Sequence, residues 1–247
     1  MKVKQFFLLI AIFLFCFLSL NSKEMTLAYV DFPPYEFQEN GEAQGILVDI
    51  VKEIFEDADI SLELRFLPFK RAYESVKNSE IDGLFNFYKT DERLKHFRYS
   101  ESIINNPLVF FVRRDSDWQF EKLSDLKNAH IGVIRGYTYG DKFDNSGIFK
   151  KDETNSHVAN FKKLALGRID LYPCDKLVGI HIAMKNSLMS ELKILPNTLK
   201  EMKGYIGFSK NTDKDSINQI NEAIMKMKKN NEIENIIDEY LKDNMNY

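Results

Sequence analysis

Apolar positions recur along this chain with two periods, and their alternation sets out its elements. Met25 to Val30 reads as a first strand. After Gly41 and Gly45, the residues Ile46, Leu47, Ile50, Val51, Ile54 and Phe55 recur at helical spacing, with Asp49, Lys52 and Glu53 opposite. Leu62 to Leu67 alternates as a strand. Pro68 then opens a second helix whose inner face carries Ala72, Tyr73 and Val76. The short aromatic run Leu84 to Tyr88 has the length and composition of a buried strand. This β-α-β-α-β order predicts a mainly parallel sheet with helices on its faces.

Pro107 to Val112 is another apolar run of strand length, and beyond it the rhythm restarts. Leu123 to Leu126 reads as a short helix, and His130 to Ile134 as a strand ending in a glycine turn at Gly136 and Gly140. Helices are expected at Phe161 to Leu166 and Lys176 to Met189, with strands at Ile169 to Cys174 and Leu192 to Leu195. Met202 to Phe208 is a second isolated apolar run. Ile217, Ile220, Ile224 and Met227 form one helical stripe, and Ile233, Ile236, Ile237, Tyr240 and Leu241 another; both read as core faces. Two β/α units joined by two extended runs predict an α/β protein of two lobes, with a double crossover and a cleft between them. The expected lobes are 23–110 with 205–247, and 111–204.

Residues 1–22 stand apart. Lys2 and Lys4 precede an apolar run, Phe6 to Leu20, and Asn21-Ser22 begin a polar exit. The segment resembles a secretory signal peptide, short for a membrane span of ~20 apolar residues. Cys16 lacks the small preceding residues of a lipid-acceptor cysteine. Without this segment, 32 Lys and Arg face 37 Asp and Glu, a net charge of −5. That balance argues against nucleic acid as a partner. Only Cys174 then remains, so no intramolecular disulfide can form, and the four histidines (His96, His130, His157, His181) are scattered, without metal-ligand spacing.

Candidate chemistry lies at strand ends. Thr90 is a good N-cap, and Asp91 and Glu92 suit the positive end of a helix. Arg93 therefore sits in a first turn just beyond the aromatic strand, where open α/β sheets bind ligands. A guanidinium there suits a small carboxylate; the alternative is that it pairs with Asp91, Glu92 or another surface acid. The loop Asp31-Phe32-Pro33-Pro34-Tyr35-Glu36-Phe37 carries three aromatics that either pave a pocket or plug the core.

At this point the residues resemble a known family, the extracytoplasmic solute-binding proteins of the amino-acid type (family 3), which serve ABC transporters. The resemblance rests on Pro33-Pro34-Tyr35-Glu36-Phe37, Gly45-x-x-x-Asp49, Ile81-Asp82-Gly83, Thr90-x-x-Arg93 and Tyr99-Ser100. It continues through Asp125-Leu126, Ile131-Gly132-Val133, Gly136 and Gly167-Arg168-Ile169-Asp170. It implies the two-lobed periplasmic-binding-protein-like (type II) fold with two crossover strands. The implied function is non-catalytic capture of a small polar solute, an amino acid above all, by a periplasmic monomer that needs no cofactor and serves a membrane permease. By the same resemblance Arg93 grips the ligand carboxylate and Asp175 receives its ammonium. Tyr137 and Thr138 offer backbone and hydroxyl donors, and Phe32 and Phe69 line the pocket. A zwitterion held by Arg93 in one lobe and Asp175 in the other would bridge them and favour closure.

Two departures bear on the ligand. Phe85-Asn86-Phe87-Tyr88 is bulky where the family is usually small, which brings Asn86 and Tyr88 to the pocket. Pro68-Phe69-Lys70-Arg71-Ala72 resembles a variant that leaves Arg71 either a second ligand cation or a solvated helix residue. Other functions stay open: a secreted dehydratase-like enzyme on the same fold, for which Glu36 and Asp31 are the loop acids to nominate, or a sensor acting through a signalling partner.

Overall fold

The computed structural model describes residues 23–245, so the expected signal segment, with Cys16, lies outside the described residues. Lobe 1 is built on a five-stranded sheet in the order β4 (Ile60–Phe66), β1 (Lys23–Tyr29), β5 (Gly83–Phe87), β12 (Lys203–Ser209), β6 (Phe97–Asn105). The β4, β1 and β5 strands run parallel, as the sequence order predicts. The sheet as a whole is mixed, because β12 pairs antiparallel with both β5 and β6. A hairpin of β2 (Phe37–Glu39) and β3 (Glu42–Gln44) leads into α1 (Ile46–Asp57).

The start of α1 is fixed by backbone chemistry. The first N–H groups of a helix have no partner inside it. Here Ile46 and Leu47 donate to the carbonyls of Pro34 and Tyr35, at 3.0 and 2.8 Å. The approach is so close that a Cβ at Gly45, with φ at 121°, would lie 2.6 Å from the Tyr35 carbonyl oxygen. Glycine alone permits both. The aromatic loop is thereby stapled to the helix that carries most of the lobe's apolar face, from Ile46 to Phe55.

Alternate residues of the strands serve the two faces of the sheet. Leu27, Tyr29 and Phe85 join the cluster beneath α1 and α7 (Lys214–Lys229). Ala28, Leu84 and Phe87 join the one beneath α2 (Phe69–Lys77). Leu84 and Phe87 are three apart yet share a face, because β5 carries a bulge. Three of its residues span the register that two span on β12, and Asn86 adopts a left-handed φ of 53°. The last helix, α8 (Glu232–Met245), packs on α1 and α7.

Lobe 2 has its own five-stranded sheet in the order β11 (Leu192–Lys200), β7 (Leu108–Arg113), β10 (Leu171–Asp175), β8 (His130–Ile134), β9 (Lys150–Thr154). The apolar run in β7 is continuous because both its faces are covered. Phe110 and Val112 pack with Phe120 and Ile131, while Val109 and Phe111 pack in the cluster of Phe161 and Tyr172. Between β8 and β9 comes α4 (Asp141–Asp144), after α3 (Asp91–His96) in lobe 1. Next come α5 (His157–Ala165) and α6 (Lys176–Lys185).

Several boundaries differ from the pattern reading. Periodicity does not show β6 and β9, which are edge strands; β9 reads Lys-Lys-Asp-Glu-Thr and stays exposed or half-exposed throughout. The α5 helix starts earlier than Phe161, since Ser156 caps it by accepting from the Ala159 N–H. The α6 helix stops at Lys185 and not Met189, where Asn186 and a left-handed Ser187 end it. The chain crosses between sheets at Asn106-Pro107 and returns at Glu201-Met202. The Asn106 N–H donates to the Met202 carbonyl at 2.5 Å and ties the two crossings. The expected boundaries at 110/111 and 204/205 fall inside β7 and β12.

Candidate functional site

The carboxyl ends of β1 and β5, the aromatic loop and the start of α2 enclose a cavity of about 310 Å³. Of the residues singled out in the sequence, Phe32, Phe69, Asn86, Tyr88 and Arg93 line it. Asp31 and Glu36 line it too. Larger hollows lie in lobe 2 around Trp118; one, of about 610 Å³, reaches Asp170 before the start of β10, and neither includes Arg93. Asp175 lines none of these three hollows, the first cavity included.

Arg93 is placed by the short α3. The Thr90 hydroxyl caps that helix, accepting from the Arg93 N–H at 3.2 Å. The guanidinium lies over the Phe87 ring, its central carbon 4.3 Å from the ring centroid and 5.6 Å from that of Phe69. Nη1 donates to the Tyr88 carbonyl at 3.0 Å. Glu92 is taken by Lys95 and His96, so among the described residues Arg93 has no acidic partner. A cation held over an aromatic shelf, with one guanidinium bond to a carbonyl and no acidic partner among the described residues, is prepared for an anion. The shelf is rigid: Phe87 packs edge-on to Phe97 at 4.9 Å and stacks on Tyr99 at 5.6 Å.

Asp175 ends β10 in lobe 2 and caps α6, accepting from the N–H groups of Leu177 and Val178 at 3.1 Å each. The same oxygen accepts from the Tyr35 hydroxyl at 2.6 Å, a bond between the lobes. Tyr35 is fully buried and stacks on Phe32 at 5.7 Å, so the aromatic loop divides its roles: Phe32 faces the cavity and Tyr35 plugs the core. Burial outweighs these three donors and raises the Asp175 carboxyl to about 6.

Tyr88 marks where the charges converge. Burial pushes its hydroxyl up to about 12; Asp175 and Glu36 push the same way, while Arg93 and a bond from Asn106 oppose them. One hydroxyl on the cavity wall thus feels the cation of lobe 1 and the carboxylate of lobe 2. Glu36 is 1% exposed, and its one backbone donor, Val30, is distant at 3.4 Å. Burial drives its carboxyl well above the usual range, against Val30 and Asn86. Burial thus favours the neutral form of this carboxyl.

Tyr137 and Thr138 are exposed on the loop after β8 and do not line this cavity. Two of their donors are engaged: the Tyr137 N–H on the Ile134 carbonyl, the Thr138 hydroxyl on Asp144 at 2.5 Å. The Tyr137 ring packs against His157, whose Nδ1 lies 2.6 Å from the Tyr172 hydroxyl and 3.6 Å from the Cys174 sulfur. Burial pushes the Cys174 thiol up, so it is a packed, unreactive group. Arg71 is exposed on α2, outside the cavity lining. Sequence reasoning missed Tyr35 as a link between lobes and Asn106 as a pocket neighbour. For Tyr35 no sequence signal exists, since its partner is 140 residues away. For Asn106, the Asn-Pro step between two apolar runs was a signal.

The family model of the bacterial extracellular solute-binding proteins, family 3, matches residues 26–243. An arginine-binding periplasmic protein of Mannheimia haemolytica is 25% identical over 235 residues, covering 92% of this chain and 94% of that protein. An arginine-binding extracellular protein of Bacillus subtilis is 23% identical over 210 residues, 83% of this chain and 81% of that one. Among solved structures, the second substrate-binding domain of a protein assigned as an amino acid ABC transporter from Streptococcus pneumoniae superposes with a TM-score of 0.75. It is 23% identical, over 89% of this chain and 100% of that domain.

Proposed function

Because the chain belongs to the bacterial extracellular solute-binding proteins of family 3, we propose that it captures an amino acid between its lobes without catalysis and delivers it to an ABC-transporter permease. The observation that carries this reading is the pair Arg93 and Asp175. They come from opposite lobes: Arg93 is a cation without an acidic partner among the described residues, and Asp175 is a half-buried carboxylate bonded across the lobes to Tyr35. A zwitterion supplies the opposite charge to each.

In this reading the ligand carboxylate lies on the Arg93 guanidinium, and its ammonium takes Asp175 in place of the Tyr35 hydroxyl or beside it. Phe32 and Phe69 pack on the side chain, and Asn86 and Tyr88 bound it. Tyr137 and Thr138 close over it from lobe 2. Arg71, exposed and outside the cavity, serves as a solvated helix residue. The protein acts as a monomer in the periplasm, with residues 1–22 as its export signal.

A thermal-shift screen of amino acids, amines, small carboxylates and short peptides tests the proposal. At 100 times its Kd an amino acid adds about 2.7 kcal/mol of stability. Arg93→Ala is expected to abolish the shift while leaving the fold intact. If only compounds lacking an α-amino acid group raise the melting temperature, the zwitterion assignment is wrong. Glu36 has the raised pKa an acid catalyst would need, so each hit is also incubated with the protein and assayed for turnover. Chemical conversion would replace the receptor reading with an enzymatic one.

A further inference from the structure

Asn106, at the first crossing between lobes, lies behind the pocket wall and bonds to two of its residues. It is 1% exposed. Its backbone N–H holds the second crossing through the Met202 carbonyl. Its carboxamide turns into lobe 1, where Nδ2 donates to Asn86 Oδ1 and to the Tyr88 hydroxyl, each at 3.2 Å. Asn86 and Tyr88 are both walls of the cavity. Gly204, in β12 just after the second crossing, passes close to the same residue: a Cβ added there would lie 3.0 Å from Asn86 Oδ1. Asn86 thus lies between the first crossing and the strand that follows the second.

The arrangement carries a local cost. Among the described residues Asn106 Oδ1 is buried without a hydrogen-bond partner, a desolvation cost an apolar residue would not incur. Asn86 holds a left-handed backbone, which asparagine adopts more readily than most residues. A buried polar side chain kept at that cost, on a contact between a crossing and the cavity wall, points to a role beyond stability.

We propose that Asn106 is a positioning residue that couples the bend between the lobes to the shape of the cavity. Opening turns the crossing backbone, and the carboxamide carries Asn86 and Tyr88 with it. The coupling is reciprocal, so whatever fixes Asn86 and Tyr88 also biases the hinge. The inference does not depend on which solute binds. A protein that binds no amino acid but shows the coupling loses the function proposed above and keeps this one.

Lobe opening is read without ligand by single-molecule energy transfer on the mature chain. Dyes are attached through Leu166→Cys in lobe 2 and Met225→Cys in lobe 1, both well exposed, in a Cys174→Ser background. Asn106→Ala and Asn86→Gly are compared singly and together; glycine suits the left-handed backbone at 86. Both single variants are expected to shift the mean transfer efficiency in the same direction, and the double variant to shift it no further than either. If Asn106→Ala does not fold, Asn106→Asp, which keeps the shape and removes the amide donors, takes its place. A hinge role alone would move the Asn106 variant and leave Asn86→Gly unchanged. That outcome, additive shifts, or no shift in either variant would overturn the coupling.

Discussion

Asp175 is where one carboxyl serves three purposes: it caps α6, joins the lobes through Tyr35, and is the proposed ammonium acceptor. Its raised pKa sets opposite pH dependences for stability and for binding. An unfolded aspartate near 3.8 against about 6 in the fold means that the folded state holds the proton more tightly. Stability contributed by this group is therefore largest below the unfolded value and falls as pH rises to about 6, by about 2 kcal/mol once partial solvation is allowed for. Ammonium binding needs the ionised form, so affinity is expected to fall by about tenfold per pH unit below 6. Asp175→Asn keeps the cap, since asparagine is an equally good N-cap. It is expected to abolish amino acid binding while making the ligand-free protein more stable near pH 7.5, by about 1–2 kcal/mol. Calorimetric titration and urea unfolding across pH 4–8 read both effects. Loss of stability in that variant at pH 7.5 would show that Asp175 is not penalised by burial.

At the scale of elements, the site depends on how two segments are seated. Gly45→Ala puts a methyl against the Tyr35 carbonyl and forces a backbone angle that alanine resists. It should cost about 2–4 kcal/mol and loosen the aromatic loop from α1. The loss is expected in urea unfolding, with ligand affinity falling at the same time. In β5 the bulge at Asn86 puts Phe87 under Arg93. Phe87→Ala removes a buried ring from a packed aromatic cluster, for about 3–5 kcal/mol, whereas Phe87→Leu keeps most of the volume and removes the cation's shelf. Phe87→Leu is expected to weaken binding more than it lowers the melting temperature, and equal losses would count against the shelf. The strand-helix-strand order around both segments was legible in the chain. The bulge was not, because an extra residue is defined only by the partner strand's register. The edge strands β6 and β9 were illegible for related reasons: β9 stays exposed or half-exposed and need not be apolar, and the buried positions of β6 include a serine and do not alternate.

At the scale of the molecule, two crossings, one tie between them and the Tyr35–Asp175 bond govern how the lobes sit. Tyr35→Phe keeps the ring and its stack on Phe32 but deletes the interlobe hydrogen bond. Asp175 retains its two backbone donors, so the fold should lose only about 1–2 kcal/mol. The ligand-free variant is expected to have a larger radius of gyration by small-angle X-ray scattering and to close again on ligand. An unchanged radius would mean that packing alone holds the lobes together.

Local and periodic features were determined by the sequence alone. Helical and alternating stripes fixed the β/α order, the two isolated apolar runs announced the crossings, and the Thr90 cap set Arg93 at a strand end, since each depends on neighbours a few residues away. The tertiary structure decided what those residues meet. It gave the aromatic loop a pocket wall in Phe32 and a core plug in Tyr35. It left Arg71 in solvent, spent the Thr138 hydroxyl on Asp144, and brought Asn106 to Asn86. These outcomes depend on burial and on partners up to 140 residues apart, and a linear pattern carries no information about either.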